Sequence, residues 1–169
     1  MSAQGAAVNA PPTVEVRILD DRIRAWGLPR YQSDMAAAID LFACVDAPLV
    51  LAPHSPAELV PSGISVFIGN KQLAAIIVPR SGLGHRSGLV IGNLVGLIDA
   101  DYTGPVMISV WNRSAPGCEP IMIRPGDRIA QMLFVPVLRP RFEVVDEFSR
   151  NTERGDAGFG STGTGEPPA

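Results

Sequence analysis

Three short segments of the chain combine residue types that can bind a phosphate or move a proton. The first is Pro79-Arg80-Ser81-Gly82-Leu83-Gly84, which follows an apolar run. An arginine forks onto two phosphate oxygens, a serine donates one hydrogen bond, and glycine lets backbone N–H groups approach an anion. The segment therefore suits a phosphate site, and the alternative is a plain turn with a solvent-facing arginine.

The second segment, Gly96 to Gly104, carries carboxylates. Asp99 and Asp101 flank an alanine, and Tyr102 follows directly. A carboxylate held in such a turn can polarise a water molecule as a general base, and the tyrosine ring can pack against a sugar. A solvated acidic turn has the same spacing, and spacing alone favours that simpler interpretation.

The third segment runs from Arg124 to Gln131. Its Pro125-Gly126 pair predicts a turn that leads into a strand. Asp127 and Arg128 can pair with neighbours, and such surface pairs contribute little. Gln131 interrupts an apolar run, so its amide must find a partner, which is either structural or a ligand.

A glycine-rich tail holds further groups with binding chemistry. Residues 158–163 contain a formal GxGxxG pattern, but no strand precedes it closely and no helix follows, which excludes a dinucleotide-binding turn. A flexible arm with one aromatic ring, one arginine and two hydroxyls can close over a base and a polyphosphate together. A disordered tail is the alternative. The groups concerned are Arg154, Phe159, Ser161 and Thr162.

The elements that must position these segments are predicted to be β-strands. Sixteen prolines and seventeen glycines separate short runs rich in Val, Ile, Leu and Phe, and turn signals recur every ~8–12 residues, which is typical of an all-β sandwich, jelly roll or barrel. The predicted strands are Val14 to Leu19, Gly63 to Ile68, Leu73 to Val78, Val106 to Trp111 and Ile129 to Val137.

Two further elements concern the candidate segments. The strand-like runs Leu89 to Val95 and Val106 to Trp111 predict a long hairpin, with the acidic residues near its turn. Ser81 to Ser87 predicts a short helix after a serine cap. The chain thus divides into a mobile N-terminal segment (1–13), a β domain (14–151) and a flexible C-terminal arm (152–169).

Composition limits the classes of function. The chain has 169 residues, enough for one domain with a sizeable core, and a formal net charge of −3, which argues against broad nucleic-acid binding. No apolar run approaches the ~18–20 residues of a membrane span, and no secretory signal is evident, so a cytoplasmic protein without nucleic-acid or membrane partners is expected. Two cysteines, and two histidines without ligand spacing, predict neither a disulfide framework nor a zinc site.

Taken together, these segments resemble the trimeric dUTPase family, in particular its bacterial members. The resemblance extends from about Val14 to Gly163, and five family motifs occur in order. The matching stretches are Ala38-Ile39-Asp40-Leu41, Pro79 to Leu83, Gly96 to Tyr102, Gly126 to Gln131, and Arg154 to Gly163. The resemblance implies a jelly-roll or distorted β-barrel subunit with one short helix. It also implies a homotrimer whose active sites lie between subunits, each closed by the arm of a neighbour.

The resemblance also implies an activity, namely hydrolysis of dUTP to dUMP and pyrophosphate. Such an enzyme limits uracil incorporation into DNA and supplies dUMP for thymidylate synthesis. Asp99 matches the general base that activates the attacking water. Mg²⁺ is expected to bind mainly through the triphosphate and water, without a dedicated metal cluster in the protein. Asp40 is expected either to touch the outer shell of that ion or to be structural at a subunit interface.

The remaining family roles concern substrate binding. Tyr102 matches the ring that packs against deoxyribose and disfavours a 2′-hydroxyl. The phosphates are assigned to Arg80, Ser81, Gly82, Gln131, Arg154, Ser161 and Thr162. The uracil is assigned to Asn93 and the backbone around Leu97, Ile98 and Met107, with Phe159 stacking on its face.

Three positions depart from the family pattern: Ala38 and Ala157 stand where glycines are usual, and Thr103 where arginine is common. None of these removes a predicted catalytic group. Two rival functions stay open at this point. One is a dCTP deaminase, or a bifunctional deaminase-diphosphatase, on the same fold. The other is a non-catalytic binding or regulatory protein on the dUTPase scaffold.

Overall fold

Residues 11–150, together with Thr152 and Gly155, are described by a computed structural model of the chain. The chain divides into two compact units, Met1–Leu138 and Arg139–Ala169. All strands and helices of the described residues belong to the first unit. In chain order they are β1 (Glu15–Ile18), α1 (Arg22–Trp26), β2 (Ile39–Phe42), β3 (Leu49–Leu51), β4 (Glu58–Phe67), β5 (Leu73–Pro79), α2 (Ser81–Arg86), β6 (Leu89–Ile91), β7 (Gly96–Ile98), β8 (Pro105–Asn112), β9 (Ile121–Ile123) and β10 (Arg128–Pro136).

The strands form two four-stranded sheets and one two-stranded sheet, and all pairings between them are antiparallel. One sheet has the order β1-β4-β8-β6, the second has the order β2-β10-β5-β7, and β3 pairs with β9. A single apolar cluster draws side chains from both larger sheets, for example Val60 and Ile108 from the first and Leu41, Ile77 and Met132 from the second. The core therefore joins the two sheets.

The all-β prediction is confirmed, and so are the five strands predicted from apolar runs. The short helix after Arg80 is also present as α2, but the expected serine cap is wrong, because Ser81 is the first helical residue and the cap position, Arg80, makes no side-chain cap hydrogen bond. A second helix, α1, was not predicted. Local hydrogen bonds explain it, because the Asp20 carboxylate accepts from the backbone N–H of Arg22 at 2.9 Å and from its guanidinium. The same side-chain hydrogen bonds from Arg22 lower the pKa of Asp20 below its ordinary value.

The predicted long hairpin is only partly correct. Its inner part exists, since β6 pairs with β8 and Leu89 lies opposite Asn112. Beyond Ile91 the chain turns, with Leu94 at a positive φ of 67°, and β7 pairs with β5 of the other sheet. The segment Gly96 to Tyr102 therefore begins in the sheet that contains β5. After it, the chain returns through β8 to the sheet that contains β4.

Gly126 closes a turn under the ring of Trp26. Its φ is +84°, and a Cβ atom built there would lie 3.0 Å from Cε2 and 3.2 Å from Cδ2 of Trp26. The turn is held by Asp127, whose carboxylate accepts from the backbone N–H of Arg124 at 2.7 Å. Only glycine satisfies both the backbone angle and the close ring.

We expect Gly126→Ala to destabilise the protein by about 2 kcal/mol or more, since it combines backbone strain with a ring clash. Gly117 provides the matched control, because it has a φ of +89° and nothing within 4 Å of its built Cβ. Gly117→Ala should cost about 1 kcal/mol. Urea unfolding at one fixed protein concentration compares the two variants, and equal losses would contradict the role of Trp26.

In the second unit, the described residues 139–150 form neither helix nor strand. Large apolar side chains are nevertheless exposed there: Phe142 and Phe148 are each 89% exposed and Val144 is 98% exposed. An apolar series of this kind is unusual on a monomer surface. Across the described residues of both units, no helix has the length and apolar character that a membrane crossing needs.

Candidate functional site

The phosphate-binding candidate lies where β5 ends and α2 begins. Arg80 has extended backbone angles, so the chain leaves the strand and turns directly into the helix. A cleft of about 380 Å³ opens at this point. Its lining includes four of the predicted phosphate ligands, and it consists of Arg80, Ser81, Gly82, Leu83, Arg86, Ser87 and Gln131. The structure thus brings together predicted residues that are fifty positions apart in sequence.

A buried carboxylate organises the floor of this region. The Asp40 side chain is only 5% exposed, and its Oδ1 lies 3.1 Å from Nε of Arg80. Its Oδ2 lies 3.1 Å from Nη1 of Arg128, and Nε2 of Gln131 donates to Oδ1 at 3.3 Å. We call these four residues the Asp40 network. One N–H of the Gln131 amide thus has a partner within the protein, the Asp40 carboxylate.

Strand register explains why these four side chains meet. β10 lies between β2 and β5, with Gln131 opposite both Asp40 and Val78. A register shift between Arg128 and Ala130 marks a β-bulge at the start of β10. Nη1 of Arg80 also donates to the backbone carbonyl of Arg128 at 3.1 Å, which ties the end of β5 to that bulge.

The charge of this region favours an anion. Two guanidinium groups, of Arg80 and Arg128, face the single carboxylate of Asp40, and Arg86 adds a third positive charge in the cleft lining. One carboxylate therefore leaves an excess of positive charge beside the cleft, which is what a polyphosphate needs.

The base-recognition candidates lie on the turn between β6 and β7, on β7 and on β8. Asn93, Leu97 and Met107 are exposed, and Ile98 is half-buried. A glycine is required at position 92, where the chain enters this turn, because a Cβ atom there would collide with the Ala57 methyl. Its N–H donates to the backbone carbonyl of Ser109 at 2.9 Å.

Asp99 and Tyr102 occupy one tight turn after β7. The backbone N–H of Tyr102 donates to the carbonyl of Asp99 at 3.2 Å, and the Asp99 side chain is exposed. The Tyr102 hydroxyl donates to the carbonyl of Pro105 at 2.9 Å, which folds the ring back across Gly104. The same turn thus carries an exposed carboxylate and an exposed aromatic ring.

Asp99 does not join the phosphate cleft of its own chain. β7 pairs with β5 so that Ile98 lies opposite Ala75, and Asp99 comes next toward the start of β5. Arg80 follows the other end of that strand. At ~3.3 Å per residue, the two side chains start about 15–20 Å apart along the strand. One chain therefore holds the two candidate groups at separate places.

Four predicted residues, Arg154, Phe159, Ser161 and Thr162, lie outside the described residues. Two neighbouring positions are described, and there the N–H of Gly155 donates to both the carbonyl and the hydroxyl of Thr152, at 3.0 and 3.1 Å.

Sequence reasoning missed Arg128 and Arg86 as members of the site, and it left Asp40 between two roles. The signal for Asp40 was present, since a carboxylate within Ala38-Ile39-Asp40-Leu41-Phe42 must be buried and paired. The identity of the partners was not visible, because it depends on the order β2-β10-β5 in the sheet.

Comparison with known proteins identifies relatives of this chain. The dUTPase family model matches residues 24–163. A deoxyuridine 5'-triphosphate nucleotidohydrolase of Methylibium petroleiphilum is 52% identical over 151 residues, covering 89% of this chain and 97% of the relative. A protein with the same name from Haemophilus influenzae is 50% identical with the same coverage.

Solved structures agree in fold. A dUTPase of Staphylococcus bacteriophage 80alpha with dUpNHpp is 26% identical, with a TM-score of 0.74 and coverage of 89% of this chain and 98% of the phage chain. A dUTPase mutant of phage phi11 of S. aureus, described with a structural Mg(II) ion, is 24% identical, with a TM-score of 0.70 and coverage of 82% and 99%.

Proposed function

The chain belongs to the dUTPase family, and from that premise we propose that it hydrolyses dUTP to dUMP and pyrophosphate in active sites built jointly by several copies of the chain. The observation that carries this proposal is the cationic cleft at Arg80, where three of the five family motifs converge on Asp40. Such an enzyme keeps uracil out of DNA and provides dUMP for thymidylate synthesis.

Phosphate binding uses the cleft at the start of α2. Arg80 forms an ion pair with Asp40 through Nε and donates from Nη1 to the Arg128 carbonyl, and a guanidinium carries five N–H donors in all. The guanidinium is therefore held in one orientation while it keeps donors for phosphate oxygens. Ser81, Gly82 and Gln131 line the same cleft and complete the set among the described residues.

Hydrolysis requires a base beside the phosphorus that water attacks. Asp99 supplies an exposed carboxylate that can hold and deprotonate this water, while the guanidinium groups stabilise charge on the phosphates. The pyrophosphate then leaves as an anion, and the positive charge of the cleft stabilises it.

Substrate choice falls to the turn between β6 and β7, to the strands β7 and β8, and to Tyr102. Asn93 and the backbone at Leu97, Ile98 and Met107 offer donors and acceptors that match a uracil edge, and cytosine would leave one of them unpaired. The Tyr102 ring packs against deoxyribose, where a 2′-hydroxyl has no room. These assignments rest on the family motifs together with the exposure of the turn.

A homotrimer supplies the site that one chain leaves incomplete. Asp99 and Arg80 lie far apart along β5, so a dUTP molecule needs Asp99 of one copy and Arg80 of another. The exposed Phe142, Val144 and Phe148 of the second unit offer apolar surface that a neighbouring copy can cover. Arg154, Phe159, Ser161 and Thr162 would close the site from the arm.

Magnesium is expected to bind mainly through the phosphates of the substrate and through water. The described residues contain no group of three or more His, Cys, Asp or Glu side chains that could hold a metal ion. Asp40, the carboxylate beside the cleft, has both oxygens engaged by Arg80 and Arg128. Mg²⁺ readily keeps waters and binds phosphate oxygens, so the triphosphate itself would bring it, where it would neutralise phosphate charge.

Release of pyrophosphate from dUTP, dTTP, dCTP and UTP tests the activity directly. We expect dUTP to exceed each of the others in kcat/KM by about two orders of magnitude or more, because a polar mismatch leaves buried groups unpaired. Light scattering on the same sample should give a mass near three times 17.9 kDa. Ammonia release from dCTP, or tight dUTP binding without pyrophosphate, would refute the proposed reaction.

A further inference from the structure

The conformation of Tyr102 depends on a neighbour that has no side chain. A Cβ atom built at Gly104 would lie 2.5 Å from the Tyr102 hydroxyl oxygen and 2.7 Å from Cζ, with Cε2 at 3.1 Å. Real Cβ atoms do not approach other heavy atoms so closely. The ring therefore occupies space that any residue larger than glycine would take.

The requirement at Gly104 is steric. The glycines of this chain with a positive φ are Gly27, Gly63, Gly69, Gly88, Gly117, Gly126 and Gly155 among the described residues, and Gly104 is not one of them. Alanine can adopt the backbone of Gly104 without strain. A substitution here consequently acts on the Tyr102 ring and leaves the turn able to form.

The ring has few ways to make room. Its hydroxyl is anchored by the hydrogen bond to the Pro105 carbonyl at 2.9 Å, and its backbone N–H is tied to Asp99. A methyl group at position 104 would break the first of these bonds and turn the ring outward, since the side chain is already 41% exposed.

We propose that Gly104 is the positioning residue that sets how strongly the enzyme rejects ribonucleotides, because its missing side chain fixes the Tyr102 ring against the sugar. This inference rests on the proposed contact between Tyr102 and deoxyribose. It adds that the contact is set by the residue two positions on, which touches no substrate itself.

The primary measurement is the ratio of kcat/KM for dUTP to that for UTP. Gly104→Ala should lower this ratio about tenfold, as loss of one close apolar contact does. Thr103→Ala is the matched control, since it is exposed and adjacent, and its ratio should stay that of the parent. A Gly104→Ala ratio equal to that of the parent overturns the inference.

A double substitution distinguishes positioning from a general effect on the turn. In a Tyr102→Ala background there is no ring to displace, so adding Gly104→Ala should change the ratio no further. A further drop in that background would show that Gly104 acts by another route and would overturn the inference. An unchanged ratio in Tyr102→Ala alone would instead refute the proposed contact between Tyr102 and the sugar. Failure of the Gly104 inference and failure of that contact therefore give different results.

Fluorine NMR follows the ring itself. The chain has two tyrosines, Tyr31 and Tyr102, so 3-fluorotyrosine gives two signals that Tyr→Phe variants assign. In Gly104→Ala the Tyr102 signal should move and the Tyr31 signal should stay, which also reports that the fold is intact. A Tyr102 signal that stays in place overturns the inference.

Discussion

Asp99→Asn is expected to lower kcat for dUTP by about three orders of magnitude, because asparagine keeps the shape of the side chain and cannot accept the proton of the attacking water. The side chain is exposed and lies outside the core, so the fold should be unaffected. Binding of a non-hydrolysable imido analogue of dUTP should stay within a few-fold of the parent, since the phosphate donors are untouched.

Asp101→Asn is the matched control for this variant. It makes the same change of charge in the same turn, two residues away, on a side chain that is also exposed. Its kcat should remain close to that of the parent. Equal losses in the two variants would mean that the turn acts through its net charge, and normal turnover by Asp99→Asn would exclude Asp99 as the base.

Arg80→Ala is expected to lower kcat/KM for dUTP by about two to three orders of magnitude, because it removes a charged donor to phosphate and leaves the buried Asp40 with one guanidinium fewer. The Arg80→Ala variant becomes more informative when it is combined with Asp99→Asn in one trimer. If Asp99 and Arg80 of one active site come from different copies, then a trimer that mixes the two defective chains contains one intact site.

Mixed trimers can be isolated by placing different affinity tags on the two chains. A closed ring of two chains of one kind and one of the other has three junctions, and at one of them both intact residues meet. Recovery of about one third of the parent activity is therefore expected from two almost inactive parents. Mixed trimers of Asp99→Asn with the Asp99→Asn/Arg80→Ala double variant should stay inactive. If the first mixture does not recover activity, Asp99 and Arg80 of one active site come from the same chain.

The fold was predictable where the residues of a segment are themselves enough to determine that it forms a strand. Apolar runs such as Leu73 to Val78 and Ile129 to Val137 are short and bounded by turn signals, which favours a buried strand, and they became β5 and β10. β7 shows the limit of this reasoning. Its three residues pair with β5 and not with the adjacent β8, and that choice depends on which sheet edge is open.

The site was predictable in its residue types and less so in its connections. Arg80 and Gln131 were assigned to the phosphates by motif, and the structure brings both to one cleft. Arg128 appeared to be an ordinary surface charge, because the sequence does not reveal that a bulge turns it toward Asp40. Gly104 gave no signal at all, since nothing in the string of residues indicates that a ring two positions earlier folds back onto it.

The Asp40 network has a consequence for how this protein can change over generations. Asp40, Arg80, Arg128 and Gln131 sit in three separate segments of the gene product, yet each one's charge or amide is balanced by the others. Losing any single member removes a partner from the others, so the effects of substitutions here will not add. The three segments are therefore expected to vary together among related proteins, whatever drift occurs in the turns between them.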